Sequence, residues 1–147
     1  MGVVWLRMRL GQCLCGNVRY EVEGDPVIVA HCHCIDCQRL SGAGHSTGAM
    51  FPADKVVILG AVSEFQLDAQ NESVVTRSFC PKCGSQLFGR NSKMPGYLTV
   101  SVGTLDDPNS VTPQAIVFVR TRRHWDTIDG ALPTFETQPD WKPEDEL

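Results

Sequence analysis

The sequence predicts a fold made mainly of short β-strands. Residues 18–22 alternate apolar and polar side chains, as a half-buried strand does. Short runs rich in β-branched residues recur along the chain, and turn signals of glycine, proline and Asp/Asn separate them. Helical periodicity is scarce, so we expect a β-dominated fold with few and short helical turns.

Eight strands are predicted. The run at 27–30 follows a proline and is β-branched, and the run at 56–59 ends at Gly60. Turn signals such as 106–109 bound the later ones. In chain order the predicted strands are 18–22, 27–30, 56–59, 64–67, 73–79, 86–89, 97–103 and 115–120. Helical turns are predicted after Cys37, at 52–54 and near 125–130, and the acidic, proline-containing residues 138–147 are expected at the surface.

Length and charge narrow the class of protein. The chain has 147 residues, the usual size of one domain, so a single core spanning 1–147 is expected. A net charge of -4 argues against a nucleic-acid partner, which normally requires a basic face. No stretch approaches the ~20 apolar residues of a membrane helix, and residues 1–9 lack the features of a signal peptide. We therefore expect a cytoplasmic protein with no membrane partner.

The seven cysteines are the strongest chemical signal. An odd number leaves one thiol unpaired in a disulfide framework, so reduced, metal-binding thiols are expected. In a strand, residues i and i+2 point to the same face, so closely spaced cysteines can hold one ion together. The cysteines fall into three groups, which are Cys13 and Cys15, then Cys32, Cys34 and Cys37, then Cys80 and Cys83.

These groups predict two zinc sites. The segment 80–84, with sequence CPKCG, has the spacing of a zinc knuckle that supplies two of four tetrahedral ligands. Pairing Cys80 and Cys83 with the first group gives a closed, structural four-thiolate site. The middle group then forms a three-thiolate site with one free position, which is how catalytic zinc is usually held.

Other interpretations of these residues fit the sequence less well. A redox role for the Cys80 and Cys83 pair fits poorly, because the following residues lead into a strand rather than a helix. Close spacing also disfavours buried, purely apolar cysteines. His31 and His33 alternate with the thiols, and in an extended segment they would face away from them. This favours packing, or support of the ligands from outside, over ligation. His45 and His124 show no partner pattern and are predicted to be ordinary polar residues.

Three segments resemble the glutathione-dependent formaldehyde-activating enzymes, a family that also contains centromere protein V. They are 11–16 (GQCLCG), 31–43 (HCHCIDCQRLSGA) and 79–85 (FCPKCGS), and weaker signals follow at 103–108, 125 and 132–135. The resemblance covers about residues 9–140. It implies an Mss4-like β-tent of short antiparallel strands around two zinc ions. The structural ligands would be Cys13, Cys15, Cys80 and Cys83, and the catalytic ligands Cys32, Cys34 and Cys37.

The same resemblance implies an activity. The family joins glutathione, as co-substrate, to formaldehyde to form S-hydroxymethylglutathione, which is a carbon–sulfur lyase reaction in reverse. Arg39 is a candidate partner for a glutathione carboxylate and Ser41 a candidate proton donor, although a surface arginine and a turn serine remain the alternatives. The basic segment 120–123 is predicted to be a solvated strand end, and Trp125 to lie in the core. A non-catalytic zinc module that binds a protein, or a zinc store or sensor, are the competing functions.

Overall fold

The computed structural model describes residues 7–69, 72–128 and 130–139. Within these ranges the prediction of a mainly β fold is confirmed, since ten strands accompany one α-helix. The strands are β1 Met8–Gln12, β2 Arg19–Glu23, β3 Ile28–Cys32, β4 Ser46–Pro52, β5 Val56–Leu59, β6 Ser63–Asp68, β7 Val74–Phe79, β8 Gln86–Asn91, β9 Tyr97–Ser101 and β10 Ala115–Val117. The helix α1 is Ile35–Ser41, and 3-10 turns occupy Ala53–Lys55, Val102–Thr104, Pro108–Ser110 and Val119–Thr121.

The strands form two sheets. Three strands pair antiparallel in the order β1-β2-β5. Seven strands form the larger sheet in the order β10-β3-β4-β9-β8-β7-β6. Its neighbours are antiparallel except for β10, which runs parallel to β3. The middle cysteine group lies where β3 leaves this sheet and enters α1.

One apolar core joins the two sheets. Tyr20 from β2 and Phe88 from β8 are both buried, and their rings meet edge to face with centroids 5.1 Å apart. Cys13 and Cys80 belong to the same buried cluster, so the first and third cysteine groups are anchored in the core. The middle group lies outside it, with Cys37 buried within α1.

The observed elements differ from the predicted ones at several points. All eight predicted strand segments overlap strands, but β1 and β4 were not predicted. The segments 97–103 and 115–120 were predicted too long, because each strand gives way to a 3-10 turn. The predicted helical turn near 125–130 is absent from its described part, where the chain makes one turn that Asp126 N–H closes on Arg123 O. Residues 140–147 lie outside the described ranges. No helix in the described part of the chain has the length and apolar character of a membrane span.

Candidate metal centres

Two tight turns bring the first and third cysteine groups together. Cys13 and Cys15 lie in the turn between β1 and β2, rather than in a strand, and Cys80 and Cys83 lie in the turn between β7 and β8. The Sγ atoms of all four lie within 4.8 Å of one another, with Cys13 3.7 Å from Cys15 and Cys15 3.8 Å from Cys80. Sulfurs on a tetrahedral zinc with ~2.3 Å bonds are about 3.8 Å apart. A disulfide needs about 2.05 Å, so these spacings fit zinc and not a bridge.

Backbone amides donate hydrogen bonds that fix the third cysteine group in a tight turn. The Cys80 Sγ accepts hydrogen bonds from the N–H groups of Lys82 and Cys83 at 3.3 and 3.4 Å, which is the shape of a knuckle. Gly84 leaves the turn at φ 78°, a conformation that residues with a Cβ rarely adopt. Its N–H closes the turn on Cys80 O at 2.9 Å. The sequence CPKCG therefore has its glycine where the backbone requires one.

Ser85 links the two turns, and the sequence analysis did not single it out. Its hydroxyl accepts a hydrogen bond from the N–H of Leu14 at 3.0 Å and lies 3.2 Å from Cys83 Sγ. Hydrogen bonds from the Ser85 hydroxyl and its backbone N–H lower the pKa of Cys83 to about 5. A thiol with that pKa is a thiolate at neutral pH, the form that binds metal.

The middle cysteine group is built where a strand meets a helix. Cys32 is the last residue of β3, and Cys34 is the N-cap of α1, its sulfur accepting a hydrogen bond from Cys37 N–H at 3.3 Å. The three sulfurs lie within 4.8 Å of one another. Among the residues that the structure describes, no fourth His, Cys, Asp or Glu joins this group. Three soft donors without a fourth protein ligand fit a zinc site that leaves a coordination position for another molecule.

Charge at the middle group is concentrated on Cys37. Hydrogen bonds from the Cys32 and Cys34 thiols lower the pKa of Cys37, against the effect of burial. A hydrogen bond with the Ser46 side chain and the nearby Arg77 guanidinium lower it further. Hydrogen bonds with the Cys34 and Cys37 side chains, together with burial, raise the pKa of Cys32. Of the three thiols, Cys37 therefore loses its proton most readily.

Arg77 is the cation of this site, and no motif in the sequence marked it. It lies on β7, and its Nη2 is 4.0 Å from Cys37 Sγ. Gly89 faces it across the β7–β8 ladder, and a Cβ at that position would come 2.7 Å from Arg77 Nη1. The glycine thus leaves the room that the guanidinium occupies. Arg77 Nε is buried and has no hydrogen-bond partner.

The histidines lie apart from the three thiols. His31 Nδ1 is 2.7 Å from the hydroxyl of Thr47, and His33 Nδ1 is 3.1 Å from Gly44 O. Neither belongs to the three-thiol group.

His45 was predicted to be an ordinary polar residue, but its Nδ1 lies 2.6 Å from the Asp126 carboxylate. His124 is exposed.

A groove of about 350 Å³ runs along the outer side of α1. Trp125 lines it and is 64% exposed, so its predicted place in the core is wrong. Gln38 holds Arg123 there, since Arg123 Nε donates to Gln38 Oε1 at 2.8 Å. Ser41 lies outside the groove lining, and its hydroxyl accepts the N–H of Ala43 within its own turn. The lining residues are Ile35, Gln38, Arg39, Gly42, Ala43, Arg123 and Trp125.

Comparison with known proteins identifies the family. The sequence profile of the glutathione-dependent formaldehyde-activating enzymes matches residues 8–121, a range that carries all seven cysteines. The chain belongs to that family. Its fold is similar to the crystal structure of a protein from Rhodobacter sphaeroides, with a TM-score of 0.55 and 22% sequence identity. The similarity covers 71% of this chain and 91% of the other, and it bears on the fold alone. The matched family range includes Arg77 and ends before Trp125.

Proposed function

We propose that this family member is a zinc-dependent carbon–sulfur lyase acting on adducts of glutathione, or a similar small thiol, with formaldehyde or another small aldehyde. In the forming direction the thiol sulfur adds to the carbonyl carbon, and a C–S bond replaces the C–O π bond. The thiol proton ends on the former carbonyl oxygen, which becomes the hydroxyl of the adduct. Cleavage is the reverse, so no oxidant or reductant is needed.

The observation that carries this proposal is the contrast between the two thiol groups. One brings four sulfurs together and is closed, while the other has three and, within the described residues, no fourth protein donor. Catalytic zinc is typically held by three protein ligands with an exchangeable fourth position. Zinc held by Cys32, Cys34 and Cys37 would lower the pKa of an incoming thiol or polarise an aldehyde oxygen.

Arg77 has a specific part in this proposal. Three thiolates around a divalent ion leave one excess negative charge, and the guanidinium beside Cys37 balances it. An anionic substrate would otherwise meet a repulsive site. In the same position Arg77 can donate a hydrogen bond to the oxygen that gains charge as the C–S bond forms.

The groove along α1 suits the remainder of a thiol such as glutathione. Arg39 and Arg123 supply two guanidinium groups that can pair with carboxylates, and the exposed Trp125 offers an apolar wall. The helix connects the groove to the reacting position, because α1 also carries Cys37 and is capped by Cys34. In this proposal Arg39 binds a carboxylate of the thiol substrate. For Ser41, the hydrogen bond within its own turn favours a role in ending the helix over a role in proton donation.

The test is exchange spectroscopy of a formaldehyde and glutathione mixture at neutral pH. The uncatalysed reaction already proceeds, so the quantity measured is the protein-dependent rise in the rate of interconversion. We expect zinc-loaded protein to raise it and Cys34→Ser to abolish the rise. No rise with both thiol sites loaded would contradict the proposal for this substrate pair, and other thiols and aldehydes would then be compared in the same assay.

A non-catalytic zinc module remains the second candidate, because apolar side chains are exposed on both edge strands of the small sheet, on either side of the charged middle strand β2. Met8 and Leu10 on β1 and Val57 and Leu59 on β5 are each about half exposed, between 49% and 53%. Such a surface can bind a protein partner. This function predicts that Cys34→Ser leaves partner binding intact, whereas the enzyme proposal predicts that it removes the activity.

A further inference from the structure

A second cluster of metal-binding side chains lies behind the middle cysteine group. We call it the His–Asp cluster, and it consists of His33, His45 and Asp126. The register of β3 and β4 pairs Cys32 with Ser46 and His31 with Thr47. Because successive strand residues face opposite ways, the histidine side lies across the sheet from the thiols. The His–Asp cluster is therefore a separate site and not a fourth ligand for the three-thiol group.

We propose that the His–Asp cluster binds one divalent transition-metal ion, in addition to the two ions at the thiol groups. One donor atom from each of its three residues lies within 4.8 Å of the others. Asp126 Oδ2 is 2.6 Å from His45 Nδ1 and 3.6 Å from His33 Nδ1. Ligands on a tetrahedral ion with ~2.0 Å bonds are about 3.3 Å apart, so Asp126 and His45 must separate slightly and the His33 ring must turn for the three residues to hold one ion.

His33 supplies an independent reason to place a ligand here. Its side chain is fully buried, and Nε2 has no hydrogen-bond partner. Leaving such an atom unsatisfied is unfavourable, so the contacts present do not by themselves account for a buried imidazole. His33 Nδ1 meets the carbonyl of Gly44, and a metal-bound histidine usually donates its second ring N–H to such a group.

The surroundings hold the carboxylate in place. A Cβ at residue 44 would collide with the Asp126 side chain, so only glycine there allows the carboxylate to approach the two imidazoles. The side chain of Asp126 is 14% exposed and that of His45 is 26% exposed, which leaves an entry path on one side. The His45 ring also packs against the ring of His31, with centroids 5.1 Å apart. The three residues come from separate segments, and each is restrained by its neighbours.

The donor set selects the class of metal. Two imidazole nitrogens and one carboxylate oxygen suit zinc, cobalt, nickel and ferrous iron, whereas magnesium and calcium prefer oxygen donors alone. Sulfur is absent from this donor set, and that difference makes the site distinguishable from both thiol groups. The proposal does not depend on the lyase activity, because it concerns only metal content.

The experiment is an anaerobic Co²⁺ titration of metal-free protein that carries no histidine tag, with bound cobalt counted by mass spectrometry. Cobalt at thiolates gives strong near-ultraviolet charge-transfer absorption, which cobalt at nitrogen and oxygen does not give. We expect three equivalents to bind, the first two raising this absorption and the third leaving it unchanged. In His45→Ala and in the isosteric Asp126→Asn, the affinity for the third equivalent should fall by more than about 10-fold.

The matched control is His124→Ala, which removes an exposed histidine outside the cluster and should still bind three equivalents. The charge-transfer band of the first two equivalents reports in each variant that the thiol groups, and hence the fold, are intact. If His45→Ala fails that check, Asp126→Asn alone decides. Saturation of the wild-type protein at two equivalents overturns the proposal, and so does a third equivalent that binds the folded variants as tightly as the control.

Discussion

The Arg77 guanidinium lies 4.0 Å from the sulfur of Cys37, a contact that joins β7 to α1 across 40 residues of sequence. Arg77 makes no ion pair with a carboxylate among the described residues, where Arg9 and Arg90 each make one. Its counter-charge is therefore the thiol group itself. A part-buried cation so placed indicates that the three-thiol site is anionic when folded, as three thiolates around a divalent ion would be.

Arg77→Gln should lower kcat/KM for adduct formation roughly 10- to 100-fold, the loss typical of removing a partner just outside the metal ligands. The amide keeps much of the side-chain volume but removes the positive charge beside Cys37. Zinc content and the thermal midpoint should change little. The control is Arg90→Gln, which removes an exposed arginine paired with Glu64 on the neighbouring part of the sheet. Equal kinetics in the two variants would rule out a role for Arg77 in the reaction.

Gly89→Ala tests the same contact without changing a charge. The new Cβ would come 2.7 Å from Arg77 Nη1, so the guanidinium must move away from its present position near Cys37. We expect a loss of activity in the same direction as Arg77→Gln and smaller, measured as kcat/KM on zinc-loaded protein. Gly103→Ala is the matched control, because a Cβ there meets nothing within 4 Å. Full activity in Gly89→Ala would mean that the exact position of the guanidinium does not matter.

Much of this architecture follows from local sequence, and the reasons for the exceptions are physical. Alternation and β-branched runs predicted eight of the ten strands. Strand β4 was not predicted, because Gly48, Ala49 and Pro52 have low strand propensity. In the fold it lies between β3 and β9, and pairing on both sides stabilises it.

The functional residues divide in the same way. Cysteine spacing predicted the thiols that come together within each group, because short turns fix that geometry. The joining of the first and third groups, 65 residues apart, was predicted from the need for four ligands. Arg77 carries no local signal, and neither does the pairing of His45 with Asp126, 81 residues apart. These contacts depend on which strands and turns become neighbours in the folded chain, and a single sequence does not contain that information in any motif.

The two thiol groups should respond differently to the loss of one ligand. Cys80→Ser removes a proposed zinc ligand that is 0% exposed and part of the core, so we expect a loss of about 4 kcal/mol or more in the free energy of unfolding. Cys34→Ser should keep the fold, because serine is a favourable N-cap and preserves the cap of α1. Chemical denaturation and zinc content measure both effects, with Cys34→Ser expected to retain the zinc of the four-thiol group. Equal unfolding in both variants would remove the distinction between a structural and an open site.

The groove along α1 should determine how thiols are bound rather than how fast they react. Arg39→Gln and Arg123→Gln each remove a guanidinium from its lining, and we expect a KM for glutathione raised about 5- to 10-fold with kcat nearly unchanged. A thiol without carboxylates, such as 2-mercaptoethanol, should show the same KM in these variants as in the wild type. Arg19→Gln, on the exposed surface of β2, is the control for a general change in charge. A fall in kcat without a rise in KM would place the two arginines in the chemical step, and an unchanged KM in both variants would remove the groove from the substrate site.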